Sequence, residues 1–196
     1  MGYTSQTKVD QEIIESVLAE ATKNKDSIVF LEVGTYRGDT SREIKRWCDE
    51  HGKKLEFWGI DAALHPDFTS GDPVKPPVPF DGANMIYGDS AEVIHLIPEK
   101  LDVVLVDGCH CFNHVILDTV HYGIRVNPGG FIMFHDTAPH IQHTMRDPHG
   151  PDILQFYNSV NLAHFVMGFP TEDWVLFKEG YEPNAPWGGM TAYQKK

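Results

Sequence analysis

The chain is short of cysteine, of positive charge and of long apolar runs, and each shortage closes off a class of protein. Three cysteines, Cys48, Cys109 and Cys111, are too few and too irregular for a disulfide framework, and Cys109-x-Cys111 lacks the spacing of a zinc knuckle. A reducing cytoplasm is the expected setting. Only 16 lysines and arginines face 28 acids, a formal charge of −12, which argues against a nucleic-acid partner because phosphate backbones demand a basic face. No apolar run approaches the ~20 residues of a membrane span, and the first residues lack the basic-then-apolar pattern of a targeting signal. The partner to expect is a small molecule, not nucleic acid and not a membrane. A homo-oligomer stays open.

What is present suits one α/β domain over residues 1–196. Val9, Ile13, Ile14, Val17, Leu18 and Ala21 recur at helical spacing over 9–23. Short apolar runs then alternate with helical patterns: IVFLEV (28–33), LEFWGI (55–60), NMIYG (84–88), LDVVLVDG (101–108) and GFIMFHD (130–136). Such alternation is the mark of a parallel sheet buried on both faces. Asp39 or Thr40 is placed to cap a helix running to about Glu50, and Asp89 or Ser90 one running through Ile97. NPGG (127–130) reads as a turn before the fifth strand. HFVMGF (164–169) and DWVLFKE (173–179), separated by PTE, read as a closing antiparallel hairpin. The Pro- and Gly-rich segment 61–83 and the segment 137–151, with His140, His143 and His149, read as loops at the carboxyl edge of the sheet, where open α/β sheets bind ligands.

At that edge FLEVGTYRGDTSREI (30–44) turns sharply from strand to helix, with Gly34 and Gly38 bracketing Thr35, Tyr36 and Arg37. Glycines there let backbone N–H groups approach a ligand, or serve only a tight turn. A dinucleotide fingerprint needs Gly-x-Gly-x-x-Gly, and Tyr36 stands where its second glycine belongs. An NAD-linked oxidoreductase is disfavoured further by the lack of an obvious Tyr-x-x-x-Lys pair.

The stretch LEVGTYRGDTS instead resembles the first motif of class I S-adenosylmethionine-dependent methyltransferases, acidic-x-Gly-x-x-x-Gly. WGIDA and YGDS follow in that family's order. The resemblance implies a Rossmann-like doubly wound, mostly parallel seven-stranded sheet with a C-terminal antiparallel hairpin. It implies S-adenosylmethionine contacts from Glu32, Gly34, Thr35, Tyr36, Gly38, Asp61, Ala62, Gly88, Asp89, Ser90 and Asp107, with Asp61 on the ribose hydroxyls and the YGDS acid on the adenine amine. Plainer readings stand beside these: Glu32 in a capping interaction, Asp61 as a solvated loop acid, Asp89 as a helix N-cap.

VDGCHCFNHVILDT followed by NPGGFIMFHDT is similar to a narrower group, the metal-dependent sugar O-methyltransferases of macrolide biosynthesis and the cephalosporin-cluster enzymes. Asp107 and Asp136 end strands that should be neighbours about 4.8 Å apart, and two such acids repel unless a cation or proton lies between them. The resemblance implies a divalent metal on Asp107 and Asp136, Mg²⁺ first; His135 stands where relatives of the sugar enzymes carry an acid and is the third candidate ligand, with Mn²⁺, Fe²⁺ or Zn²⁺ favoured if the imidazole coordinates. Adjacent strand residues point to opposite faces, so His135 and Asp136 bind together only where the strand has ended or twisted. His110 is, by the same resemblance, the general base, or else only a loop hydrogen bond. His114 and His121 read as packed or solvated helix residues, and Trp187 as a pocket cover or a core cap. Phe112 and Asn113 stand where the group often carries an aromatic hydroxyl and an acid, which leaves the acceptor open. The expected function is metal-assisted O-methylation of a small hydroxylated molecule, such as a sugar or natural-product intermediate. The alternative is an inactive cofactor-binding accessory module with the same fold.

Overall fold

The computed structural model describes residues 6–62, 65–66, 73–110, 112–140, 159–185 and 187–196. The apolar runs become strands β1 (Ser27–Val33), β2 (Lys54–Asp61), β3 (Asn84–Tyr87), β4 (Leu101–Val106) and β5 (Val126–His135), paired in parallel. β6 (Trp174–Gly180) and β7 (Met190–Lys195) join them antiparallel, and the spatial order is β3-β2-β1-β4-β5-β7-β6. The order reverses between β1 and β4, and the crevice at such a switch point is where doubly wound sheets take ligands.

Every residue of β4 is buried, because the sheet is covered on both faces. Phe30, Phe57, Val103 and Phe131 pack under α1 (Lys8–Ala21) and α2 (Asp39–Glu50), while Leu31, Val104, Ile132 and Phe134 pack under α3 (Phe112–Gly123) and α4 (Ser159–Met167). A fully buried side chain of this kind contributes about 1.5–3 kcal/mol. Core packing therefore sets the strand register and leaves the carboxyl-end loops to carry polar groups.

Four elements differ from expectation. The N-cap of α2 is Gly38 in the left-handed region, not Asp39 or Thr40, and it makes no side-chain cap bond. After Asp89 comes only a 3-10 turn, Ile94–Leu96, in place of the helix expected through Ile97. NPGG lies within β5, whose pairing with β4 shifts register between Leu101 and Val103 to absorb the glycines. HFVMGF belongs mainly to α4, and the closing hairpin is built by β6 with β7, the final MTAYQK. A short apolar run does not by itself separate strand from buried helix, and here helix packing decided it.

Candidate active site

Three loops meet because the parallel ladder continues one residue past the strands. Gly34 N–H donates to the Ile60 carbonyl, Gly88 N–H to that of Asp61 and Asp107 N–H to that of Val33, each at 2.8 Å. Gly34 has φ +89°, and a Cβ there would lie 2.3 Å from the Asp107 carbonyl oxygen. The glycine is thus required by the passage of β4's end against the turn as well as by the turn itself.

The donor half of the crevice is self-braced. Asp61, nearly buried at the end of β2, accepts from the Thr35 hydroxyl at 3.0 Å and from the Tyr36 N–H, so it fastens the turn across from it. Tyr36 is bent into a positive φ of 45°. Glu32, buried, accepts from the Ser41 hydroxyl of α2; burial and then the neighbouring acids Asp107 and Asp61 raise its pKa well above the carboxylate range. Asp89 accepts from the Ala91 N–H at 2.9 Å and lies 3.4 Å from the His114 ring, while the Ser90 carbonyl accepts from the Tyr122 hydroxyl at 2.6 Å. Ala62 is exposed beside them.

The other half forms where β4 and β5 end side by side. Val106 pairs with Phe134, which sets Asp107 next to His135. Asp136, just past β5, has φ +56°, a left-handed turn that swings its carboxylate back toward the face His135 occupies. His135 Nδ1 consequently lies 2.9 Å from Asp107 Oδ1 and 3.6 Å from Asp136 Oδ2. His110 Nε2 lies 3.3 Å from Asp136 Oδ2 and 3.8 Å from Asp107 Oδ1. Asp107, His110 and Asp136 each offer one ligand atom, all within 4.8 Å of one another, which is a donor set that fits a divalent cation. Burial opposes charge on Asp107, but His135 and His110 outweigh it and hold the carboxyl well below its ordinary range. Burial likewise opposes protonation of His135, and Asp107, Asp10 and Asp136 outweigh it, raising that pKa.

Four residues outside the expected set hold this half in place. Gln6 Nε2 donates to Asp107 Oδ2 at 3.1 Å, Gly188 N–H to Asp136 Oδ1 at 2.7 Å, Gly189 N–H to Asp10 Oδ1 at 3.0 Å, and His135 Nε2 lies 3.4 Å from Asp10 Oδ2. Of these only Thr7-x-x-Asp10 left a trace in the sequence, as a helix-capping pattern, and the capping box is present. His114 is buried, His140 donates to the Ala185 carbonyl at 2.9 Å, and Trp187 is exposed. His143 and His149, and most of 63–72, lie outside the described residues. Among the described residues no helix is long and apolar enough to cross a membrane.

Comparison with known proteins agrees with this architecture. The chain is similar in fold to the mycinamycin-pathway methyltransferase MycE in complex with Mg and SAH (TM-score 0.57, 15% identity), covering 98% of this chain and 51% of that one. It is similar to the O-methyltransferase TomG of Streptomyces achromogenes in complex with SAM (TM-score 0.60, 13% identity, 97% and 81% covered). A putative caffeoyl-CoA O-methyltransferase from Staphylococcus aureus superposes with TM-score 0.63 at 10% identity, 98% and 86% covered. The chain thus spans about half the length of the MycE structure. Over 45 residues it is 33% identical to pyruvate decarboxylase 4 of Arabidopsis thaliana, 23% of this chain and 8% of that protein, too little to carry a function. The methyltransferase-domain family matches residues 31–137, from within β1 to just past Asp136, so the glycine turn and the β4–β5 acids both fall inside the match, and the chain belongs to that family.

Proposed function

We propose that this chain is an S-adenosylmethionine-dependent O-methyltransferase, assisted by a divalent cation, whose acceptor is a small hydroxylated molecule. The observation that carries the reading is the convergence of Asp107, His110 and Asp136 beside the Gly34 turn. The turn and the loops at Asp61 and Asp89 take the donor, and the net charge of −12 disfavours a nucleic-acid acceptor. Asp107 and Asp136 would hold the cation with one of the two histidines beside them; we assign the buried His135, whose Nδ1 lies 2.9 Å from Asp107 Oδ1 and 3.6 Å from Asp136 Oδ2, and so leave His110 for the proton, and the imidazole shifts preference from Mg²⁺ toward Mn²⁺ or Fe²⁺. A cation bound there supplies Lewis acidity that lowers the pKa of an acceptor hydroxyl.

His110 is the more exposed of the two histidines, its side chain 24% accessible against 4% for His135, and it is the one we assign to take the hydroxyl proton. The acceptor oxygen attacks the methyl carbon, the carbon–sulfur bond breaks with its electron pair retained by sulfur, and the proton ends on His110. Alignment matters as much as acidity in such an in-line displacement. The chain's own share of that alignment is the pairing of β4 with β5, which fixes the acids relative to the donor turn.

The test is calorimetric titration of S-adenosylmethionine, with NAD as control, into chelator-treated protein, with and without Mg²⁺ or Mn²⁺, followed by a screen of hydroxylated acceptors. Donor binding with a separate cation isotherm that disappears in Asp107→Ala/Asp136→Ala supports the reading. Donor binding without any cation isotherm removes the metal and leaves His110 alone or an accessory module. No donor binding sinks the reading altogether.

A further inference from the structure

The polar groups around the cation ligands close into a ring, and one carboxylate belongs to none of the family's motifs. Asp10 lies in the first turn of α1 and is fully buried. Its Oδ2 accepts from the Thr7 N–H at 2.8 Å and the Thr7 hydroxyl at 2.7 Å, and faces His135 Nε2 at 3.4 Å. Its Oδ1 accepts from the Gly189 N–H. The next N–H back along the chain, that of Gly188, donates to Asp136. One path therefore runs from Asp10 through His135 to Asp107, and another through the 188–189 peptide to Asp136, with His110 between the two acids.

The approach is tight. A Cβ on Gly188 would meet Asp10 Oδ2 and Thr7 Cγ2 at 2.8 Å, with φ at +97°. A buried carboxylate needs partners, and Asp10 has them from Thr7 alone to satisfy a capping role. The extra bonds to Gly189 and His135 are more than capping requires.

We infer that Asp10 is the positioning residue of the cation centre: its carboxylate holds Nε2 of His135 so that Nδ1 faces Asp107 and Asp136, and through Gly189 and Gly188 it fixes the Asp136 carboxylate. A ligating imidazole commonly gives its second nitrogen to a carboxylate, which sets its tautomer and orientation. Asp10 supplies that carboxylate from α1, outside the donor turn itself. Docking of α1 and cation binding are thereby coupled, each favouring the other. The inference rests on the cation reading proposed above.

The experiment is calorimetric titration of Mn²⁺ into the chelator-treated full chain, native and carrying Asp10→Asn, His135→Asn or both, with S-adenosylmethionine titrated in parallel and circular dichroism as a fold check. Removal of an outer carboxylate of this kind weakens metal by about 10–100-fold. Asp10→Asn should show a loss of that size with donor affinity within about twofold of native, and its further effect in the His135→Asn background should be smaller than in the native chain, because only the path through Gly189 and Gly188 remains there. Should Asp10→Asn lose its helical signal, Thr7→Val, which removes one donor to the carboxylate, carries the same test with a severalfold loss. Mn²⁺ affinity within twofold of native in these variants overturns the inference. So does an equal loss of donor binding, which is the mark of a merely structural acid, or a full additive loss in the double variant. A native chain that takes the donor but no Mn²⁺ overturns the cation reading itself and this inference with it, and the native titration identifies that outcome before any variant is made.

Discussion

The two halves of the crevice are built differently. The donor half is braced across short stretches of chain: Thr35 to Asp61 is 26 residues apart and His114 to Asp89 25. The cation half is tied by contacts spanning 101 residues from Gln6 to Asp107, 125 from His135 to Asp10, 52 from Gly188 to Asp136 and 179 from Gly189 to Asp10. Groups held by neighbouring loops need only the central strands, whereas groups held from both chain ends need α1 docked and the 188–189 loop in place. Loosening the outer parts of the fold should therefore cost chemistry before it costs donor binding.

The largest effect expected is in the cation half. His110→Ala should lower kcat by about 10²–10⁴-fold, the usual contribution of a positioned base, with the donor dissociation constant unchanged in calorimetry. An equal loss of donor affinity would erase the division between the halves. Gly34→Ala strikes where the halves touch, since the new Cβ would press on the Asp107 carbonyl and the residue keeps a positive φ. Overpacking and left-handed strain together predict about 2–4 kcal/mol lost in denaturant unfolding, with donor and cation binding both impaired.

Acid should weaken the cation half from behind. His164 of α4 packs edge-on against Phe134 of β5 with ring centroids 4.2 Å apart, and burial pulls its pKa down to about 4. A depressed histidine pKa means that the unfolded chain takes up the proton first. Its contribution is complete above the unfolded value near 6.5 and is lost as pH falls toward 4. Thermal melts should show about 1–3 kcal/mol less stability at pH 4.5 than at pH 7, and His164→Phe should flatten that slope. An unchanged slope would detach His164 from the effect. The smallest change expected is for Asp61→Asn, which keeps the shape of the brace but weakens its bonds to Thr35 and Tyr36. Donor affinity should fall about tenfold while Mn²⁺ affinity stays within twofold.

Much of both halves is legible in the sequence. Strands β1 to β5 were legible as short apolar runs; the pattern is purest in β4, LDVVLV, which is buried throughout, and weakest in β3, NMIY, which has no fully buried residue. Asp61, Asp89, Asp107 and Asp136 were placed correctly at the carboxyl ends by strand boundaries alone. What His135 and Asp136 do together was not legible, because alternation sends neighbours to opposite faces and only the positive φ of Asp136 reverses that. β7 was missed because MTAYQK has no apolar run, and α4 was read as a strand because a six-residue apolar run fits both. Thr7-x-x-Asp10 fits a capping pattern and Asp10 does cap α1, but that pattern carries no sign of its reach to His135 and Gly189.

Local pattern alone therefore determined the layered α/β fold, the glycine turn that faces the crevice and the row of acids along its edge, since each follows from a few consecutive residues and the burial they can sustain. Only the tertiary structure decided that Asp61 clamps the turn, that Gly34 must yield to the Asp107 carbonyl, and that Asp10 reaches His135 and the 188–189 loop. Those contacts join residues separated in sequence, Asp10 and Gly189 from opposite ends of the chain, and nothing local in a sequence records which distant groups the packing of a sheet brings within hydrogen-bond reach.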